Sequence, residues 1–107
     1  MEETKVILIN NENELTTLIN ENDIVIVDFY ADWCAPCRAL LPVLDELSLE
    51  KTEVKICKVN CEELSEISQK NQVRSIPTLM FYKNGENVDI KKGFVPKNQL
   101  IEIIENL

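Results

Sequence analysis

The sequence predicts an α/β domain: a three-layer α/β/α sandwich around a central mixed five-stranded sheet, with four helices. Three observations carry the prediction. The run Ile24–Tyr30, IVIVDFY, is short, β-branched and apolar almost throughout, as a strand buried on both faces is. Strand-like and helical segments alternate along the first half of the chain, which demands right-handed parallel crossovers. Further on, Asn84-Gly85 lies between two strand-like runs and signals a hairpin, adding antiparallel strands.

Each element has its own signal. Lys5–Ile9, KVILI, reads as a first strand. Asn11 with Glu14 three residues on forms a capping box. Leu15, Leu18 and Ile19 then make a short helical stripe that stops near Asn22. The strand Ile24–Tyr30 follows. After Pro36 the period changes, and Leu40, Leu41, Val43, Leu44 and Leu47 mark a helix from about Cys34 to Glu50. Pro42 falls inside it, where a kink is expected. Val54–Asn60 is a third strand, and Asn60 is placed to cap a helix with Glu62 and Glu63 in its first turn and Leu64 and Ile67 facing inward. Val73–Pro77 connects to a strand at Thr78–Lys83. Glu86–Lys91 alternates, with Val88 and Ile90 on one face, as an edge strand does, and Gly93 ends it. Pro96 starts a last helix with a stripe of Leu100, Ile103, Ile104 and Leu107.

At 107 residues the chain is expected to be one domain, 1–107, with no linker or repeat. Its 45% apolar and 28% charged residues fit a folded domain. A net charge of −8, from 11 basic and 19 acidic residues, argues against nucleic acid and anionic membranes as partners. Met1-Glu2-Glu3 lacks the basic start of a secretory signal, and no run approaches the ~20 apolar residues of a membrane helix. The expectation is a cytoplasmic monomer whose thiols stay reduced.

The chemistry concentrates where the Ile24–Tyr30 strand turns into the next helix. Cys34 and Cys37 form a Cys-x-x-Cys pair, with Trp33 in front and Ala35 and Pro36 between. A helix N-terminus offers unpaired N–H groups and a positive dipole end, which stabilise a thiolate and make the first cysteine nucleophilic. Residues three apart on a turn lie roughly 5 Å apart, within reach of a disulfide. Pro36 sits in the first turn, where its missing N–H costs nothing.

These residues resemble the thioredoxin family. The match runs through Val27-Asp28-Phe29-Tyr30-Ala31-Asp32-Trp33-Cys34-Ala35-Pro36-Cys37, then Pro42, Ile76-Pro77-Thr78, Lys83-Asn84-Gly85 and Gly93. The resemblance covers nearly the whole chain and implies the thioredoxin fold. Ala35 departs from the usual glycine, Ser75 stands where a small residue, often glycine, precedes Ile-Pro, and Lys92 replaces an apolar residue before Gly93.

The resemblance assigns roles that the residues alone leave open. Asp28 interrupts an apolar strand, so burial should raise its pKa. The resemblance implies that it exchanges protons with Cys37; the alternatives are escape to solvent or a simple pair with Lys58. Lys58 either tunes Asp28 or is a solvated lysine. Pro77 would be trans on frequency alone, since only about one X–Pro bond in twenty is cis. The resemblance implies a cis proline against the cysteine pair, with the Ile76 backbone pairing to a substrate segment. Trp33 flanks the site or belongs to the core, and Gly93 joins the substrate surface. Cys57 and Cys61 complete a C-x2-C-x19-C-x3-C pattern close to a zinc site, but the intervening residues read as a full helix and strand. Inert packing or a peripheral redox role are the other readings.

The expected function is protein dithiol–disulfide exchange: Cys34 attacks a substrate disulfide, and Cys37 resolves the mixed disulfide with help from Asp28. No cofactor or metal is expected on the chain. The resemblance implies disulfide-containing protein substrates and a thioredoxin reductase, a flavin enzyme using NADPH. Two other readings keep the fold. One is a disulfide oxidase or isomerase. The other is a non-catalytic binding module.

Overall fold

The structure is a computed structural model that describes residues 3–107; Met1 and Glu2 of the acidic start lie outside the described residues. Five strands and four helices follow in the order β1 (Ile7–Leu8), α1 (Glu12–Glu21), β2 (Ile24–Tyr30), α2 (Ala35–Glu50), β3 (Val54–Asn60), α3 (Ser65–Lys70), β4 (Thr78–Lys83), β5 (Glu86–Lys92) and α4 (Lys97–Glu105). The sheet order is β1-β3-β2-β4-β5. β1, β3 and β2 run parallel, while β4 is antiparallel to β2 and β5 to β4. β2 is therefore the middle strand, paired on both sides, which is why its sequence is almost unbroken apolar.

Alternate side chains of the strands build two cores. On one face Ile26, Ile56, Leu79 and Phe81 pack with Leu40, Leu44 and Leu47 of α2 and Leu100 and Ile104 of α4. On the other, Val25, Val27, Phe29, Cys57, Val59 and Met80 pack with Leu15 of α1 and Ile67 of α3. Each fully buried large aliphatic side chain contributes about 1.5–3 kcal/mol. Together the two cores fix the carboxyl end of β2, and with it the start of α2.

Three elements differ from their sequence expectation. The first strand shrinks from Lys5–Ile9 to two exposed residues. Before it, the Lys5 N–H donates to Ser48 Oγ at 3.0 Å and the Val6 N–H to Thr4 Oγ1 at 3.0 Å, so side chains rather than a ladder satisfy the backbone. Asn60 caps a turn, not a helix: its Oδ1 accepts from the N–H groups of Glu62 and Glu63 at 2.9 and 3.2 Å, and α3 begins only at Ser65. β5 runs one residue further, to Lys92. Val88 and Ile90 remain about half exposed at this sheet edge. The Asn84-Gly85 turn has φ of 52° and 86°, the left-handed pair that a two-residue hairpin of this kind requires.

Candidate active site

The site begins with the helix cap. Cys34 is the N-cap of α2, with Ala35 and Pro36 in its first turn. Its Sγ accepts the Cys37 N–H at 3.3 Å, so a sulfur occupies the position that a Ser or Asp oxygen usually takes. α2 then runs through Pro42 to Glu50 as one helix. Cys34 and Cys37 are joined by a disulfide with a Cα–Cα distance of 5.2 Å. The pair packs with Tyr30 and Ala31 at the end of β2, and Ile76 closes the cluster. Cys34 is 4% exposed and Cys37 1%, so Cys34 faces what opening there is.

Four segments surround the pair. The Ile76–Pro77 peptide is cis. Cys34 Sγ lies 3.8 Å from Ile76 O, so that loop stands against the disulfide. The Gly93 N–H donates to Pro77 O at 2.8 Å, so the end of β5 is fastened to the proline loop. Gly93 has φ of 89° with open space where a Cβ would stand; backbone conformation, not crowding, requires glycine here. Trp33 is 65% exposed, and its Nε1–H donates to Glu62 Oε2 at 2.7 Å. Arg38 Nη1 donates to Asp32 O at 2.9 Å, bracing the turn before the cysteines.

Asp28, on β2, is fully buried, and neither carboxylate oxygen has a hydrogen-bond partner. Burial pushes its pKa up to about 7, against the opposing pull of the Lys58 charge. Lys58 is its register partner on β3. Its Nζ stands 5.5 Å from the centroid of the Tyr30 ring, so it serves a cation–π contact beside the site as well.

Cys57 and Cys61 are free thiols. Cys57 packs in the core between the sheet and α1 and α3, apart from the cluster that holds the disulfide, so the four sulfurs do not converge. Among the described residues no group of three or more His, Cys, Asp or Glu side chains is placed to hold a metal ion. Glu62 is the site residue that sequence reasoning missed in this role. It is 29 positions from Trp33, and only the fold brings them together.

The arrangement suits chemistry on a shallow surface. Three surface pockets of about 280 to 370 Å³ are lined by other residues, the first by Lys83, Val88, Glu102 and Leu107 among others. A buried disulfide at a helix cap, a titratable carboxyl buried in the strand that leads into it and an exposed indole beside it form a centre that can exchange two electrons and two protons with a disulfide presented at the surface.

Comparison with known proteins gives a consistent result. The thioredoxin family profile matches residues 5–106. The thioredoxin of Mycoplasmoides gallisepticum is 41% identical over 97 residues, covering 91% of this chain and 97% of that protein. That of Rickettsia bellii is 51% identical over 83 residues, covering 77% and 79%. Among solved structures, Plasmodium falciparum thioredoxin superposes with a TM-score of 0.87 at 37% identity, covering 94% of this chain and 98% of that one.

Proposed function

The chain belongs to the thioredoxin family, and from that premise we propose how its site carries out the family's protein dithiol–disulfide exchange. Cys34–Cys37 is the redox-active pair. The observation that carries the reading is the disulfide at the cap of α2, with the Cys37 N–H directed at Cys34 Sγ.

In the reduced protein, the Cys34 thiolate attacks one sulfur of a substrate disulfide. An S–S bond forms between Cys34 and the substrate, and the substrate's second sulfur leaves as a thiolate that takes up a proton. Asp28, which titrates at about 7, accepts the proton of Cys37 in its ionised form. The Cys37 thiolate then attacks Cys34 Sγ, the mixed disulfide breaks, and the second substrate sulfur departs as a thiolate that takes up the proton held by Asp28. The substrate gains two electrons and two protons, and the protein is left as the Cys34–Cys37 disulfide. Lys58 limits how far burial raises the Asp28 pKa, as its lowering effect indicates.

Trp33, Ala35, Pro36, Ile76, Pro77 and Gly93 form the surface on which the substrate segment lies. Ile76 offers its backbone for strand-like pairing, and the Gly93–Pro77 hydrogen bond supports that loop. The dithiol is restored by a reductase that draws electrons from NADPH through a flavin; the chain binds no cofactor of its own. A single domain, residues 1–107, acts as a monomer in the cytoplasm. The free thiols of Cys57 and Cys61 support a reducing compartment, and a net charge of −8 disfavours self-association.

The test is capture. A Cys37→Ser variant retains the attacking thiol and loses the resolving one, so it should accumulate mixed disulfides with protein substrates that a thiol reductant releases. If no covalent adduct forms with any disulfide-bearing protein, the two-cysteine mechanism is wrong.

A further inference from the structure

Exposed cations stand on the two chain stretches that meet at the Ile76–Pro77 loop. Arg74 lies two positions before Ile76 and is exposed. Lys92 is exposed at the end of β5, in register with Thr78, and the next residue, Gly93, donates to Pro77 O at 2.8 Å. Two cations therefore bracket the Ile76–Pro77 segment, one on each chain stretch that meets there. Among the described residues neither forms an ion pair, and of the chain's 11 basic residues only Lys51, Lys70, Lys91 and Lys97 do. Lys91, one residue away, is neutralised by Asp89. Across the site the charge is mixed: Asp32 is exposed beside Trp33, Glu62 is bonded to the indole, and the exposed Arg38 donates to Asp32 O at 2.9 Å. Both cations are thus available to a carboxylate on a substrate, in a chain with 19 acidic residues and 11 basic ones.

We propose that Arg74 and Lys92 select substrate segments that carry Asp or Glu within two residues of the disulfide cysteine. The inference rests on the disulfide-exchange reading above and names its substrate class. An extended segment paired with the Ile76 backbone sends successive side chains to alternate sides. Residues flanking its cysteine then pass close to the positions from which Arg74 and Lys92 project. A carboxylate there meets a cation within the screening length of about 8 Å, while the protein's more distant negative charge is largely screened. Exposed side chains can make such pairs without the desolvation cost of a buried one.

The experiment uses the intact protein and three synthetic peptides, each closed by one internal disulfide and differing only in Asp, Asn or Lys beside the cysteine. The expected order of kcat/KM is Asp, then Asn, then Lys, with about a fivefold gap between Asp and Asn at low salt. The gap should shrink toward unity near 1 M salt, where screening acts within about 3 Å. An Arg74→Glu, Lys92→Glu variant should invert the order and favour the Lys peptide, a gain that misfolding cannot produce. Equal rates for all three peptides with the unmodified protein overturn the proposal and leave the exchange reading intact. So does an unchanged order in the charge-reversed variant. Failure to reduce any of the peptides overturns both.

Discussion

Asp28 and Lys58 are register partners across β2 and β3, yet no ion pair joins them, and both Asp28 oxygens are buried without a hydrogen bond. The nearest cation instead lies over the Tyr30 ring, 5.5 Å from its centroid. Desolvation therefore outweighs the Lys58 attraction, and the carboxyl titrates at about 7 rather than 3.8. Its pKa is higher folded than unfolded, so the folded state binds the extra proton. The stabilisation is complete below about pH 4, where both states are protonated, and is lost as pH rises through about 7. The loss is on the order of 4 kcal/mol at full burial. An Asp28→Asn variant should remove this slope, so that denaturant unfolding finds it more stable than the parent at pH 8 and little different at pH 4. An unchanged slope in that variant means that another group titrates.

Trp33 and Glu62 give a second test, because Trp33 is the chain's one tryptophan and its fluorescence reports a single site. The indole is 65% exposed and is tied to the turn after β3 by the Nε1–H bond to Glu62. An exposed bond of this kind contributes about 1 kcal/mol. Glu62→Ala should free the indole, lower its fluorescence anisotropy and reduce kcat/KM for a protein disulfide by about threefold, with little change in unfolding midpoint. Glu62→Gln keeps an acceptor and should restore most of the anisotropy. Equal anisotropy in all three proteins would mean that packing, not this bond, holds the ring.

How much of this was legible in the sequence follows the range of the contacts involved. The β2–α2 junction could be read because its signals are local: a β-branched run, then a helical stripe with proline in the first turn. The Asn84-Gly85 turn was local in the same way. The length of β1 was not legible, since Ser48, 43 positions from Lys5, takes the N–H that a longer ladder would need. Asn60 looked like a helix cap because its side chain does cap a backbone turn; the turn then ends before α3 starts. The Trp33–Glu62 bond and the meeting of Gly93 with Pro77 depend on the whole sheet being assembled.

The two free thiols should differ in reactivity. Burial, and then the Asp28 charge, push the Cys57 pKa up to about 12. Burial also raises that of Cys61, against a hydrogen bond from Ser68, but Cys61 is only half-buried. Thiolate, not thiol, reacts with alkylating agents. With the Cys34–Cys37 disulfide intact, iodoacetamide at pH 8 should label Cys61 first. Cys57 should be labelled only through global opening, at a rate that rises with denaturant as unfolding does. Mass spectrometry of digested samples reads the order directly. Early labelling of Cys57 in native buffer would show a local opening of the α1 and α3 face.

The last expectation concerns the direction in which the redox pair is poised. Two effects oppose one another. The Cys37 N–H and the start of α2 favour a Cys34 thiolate, and so the reduced form, by about 1.5–3 kcal/mol for one charged hydrogen bond. Against this, the pair lies in a cluster with Tyr30, Ala31 and Ile76, where Cys34 is 4% and Cys37 1% exposed. Holding a charge in such a place costs several kcal/mol. The neutral dithiol escapes that cost as the disulfide does, so burial offsets most of the help that the helix cap gives the thiolate and leaves the reduced form little extra stabilisation. Equilibration in defined thiol–disulfide buffers, with Cys57 and Cys61 replaced by Ser, should give a potential at or below about −230 mV, as an electron donor requires. A value between about −180 and −120 mV would place the pair with disulfide isomerases and oxidases. It would also mean that stabilisation of the thiolate at the helix cap outweighs its burial.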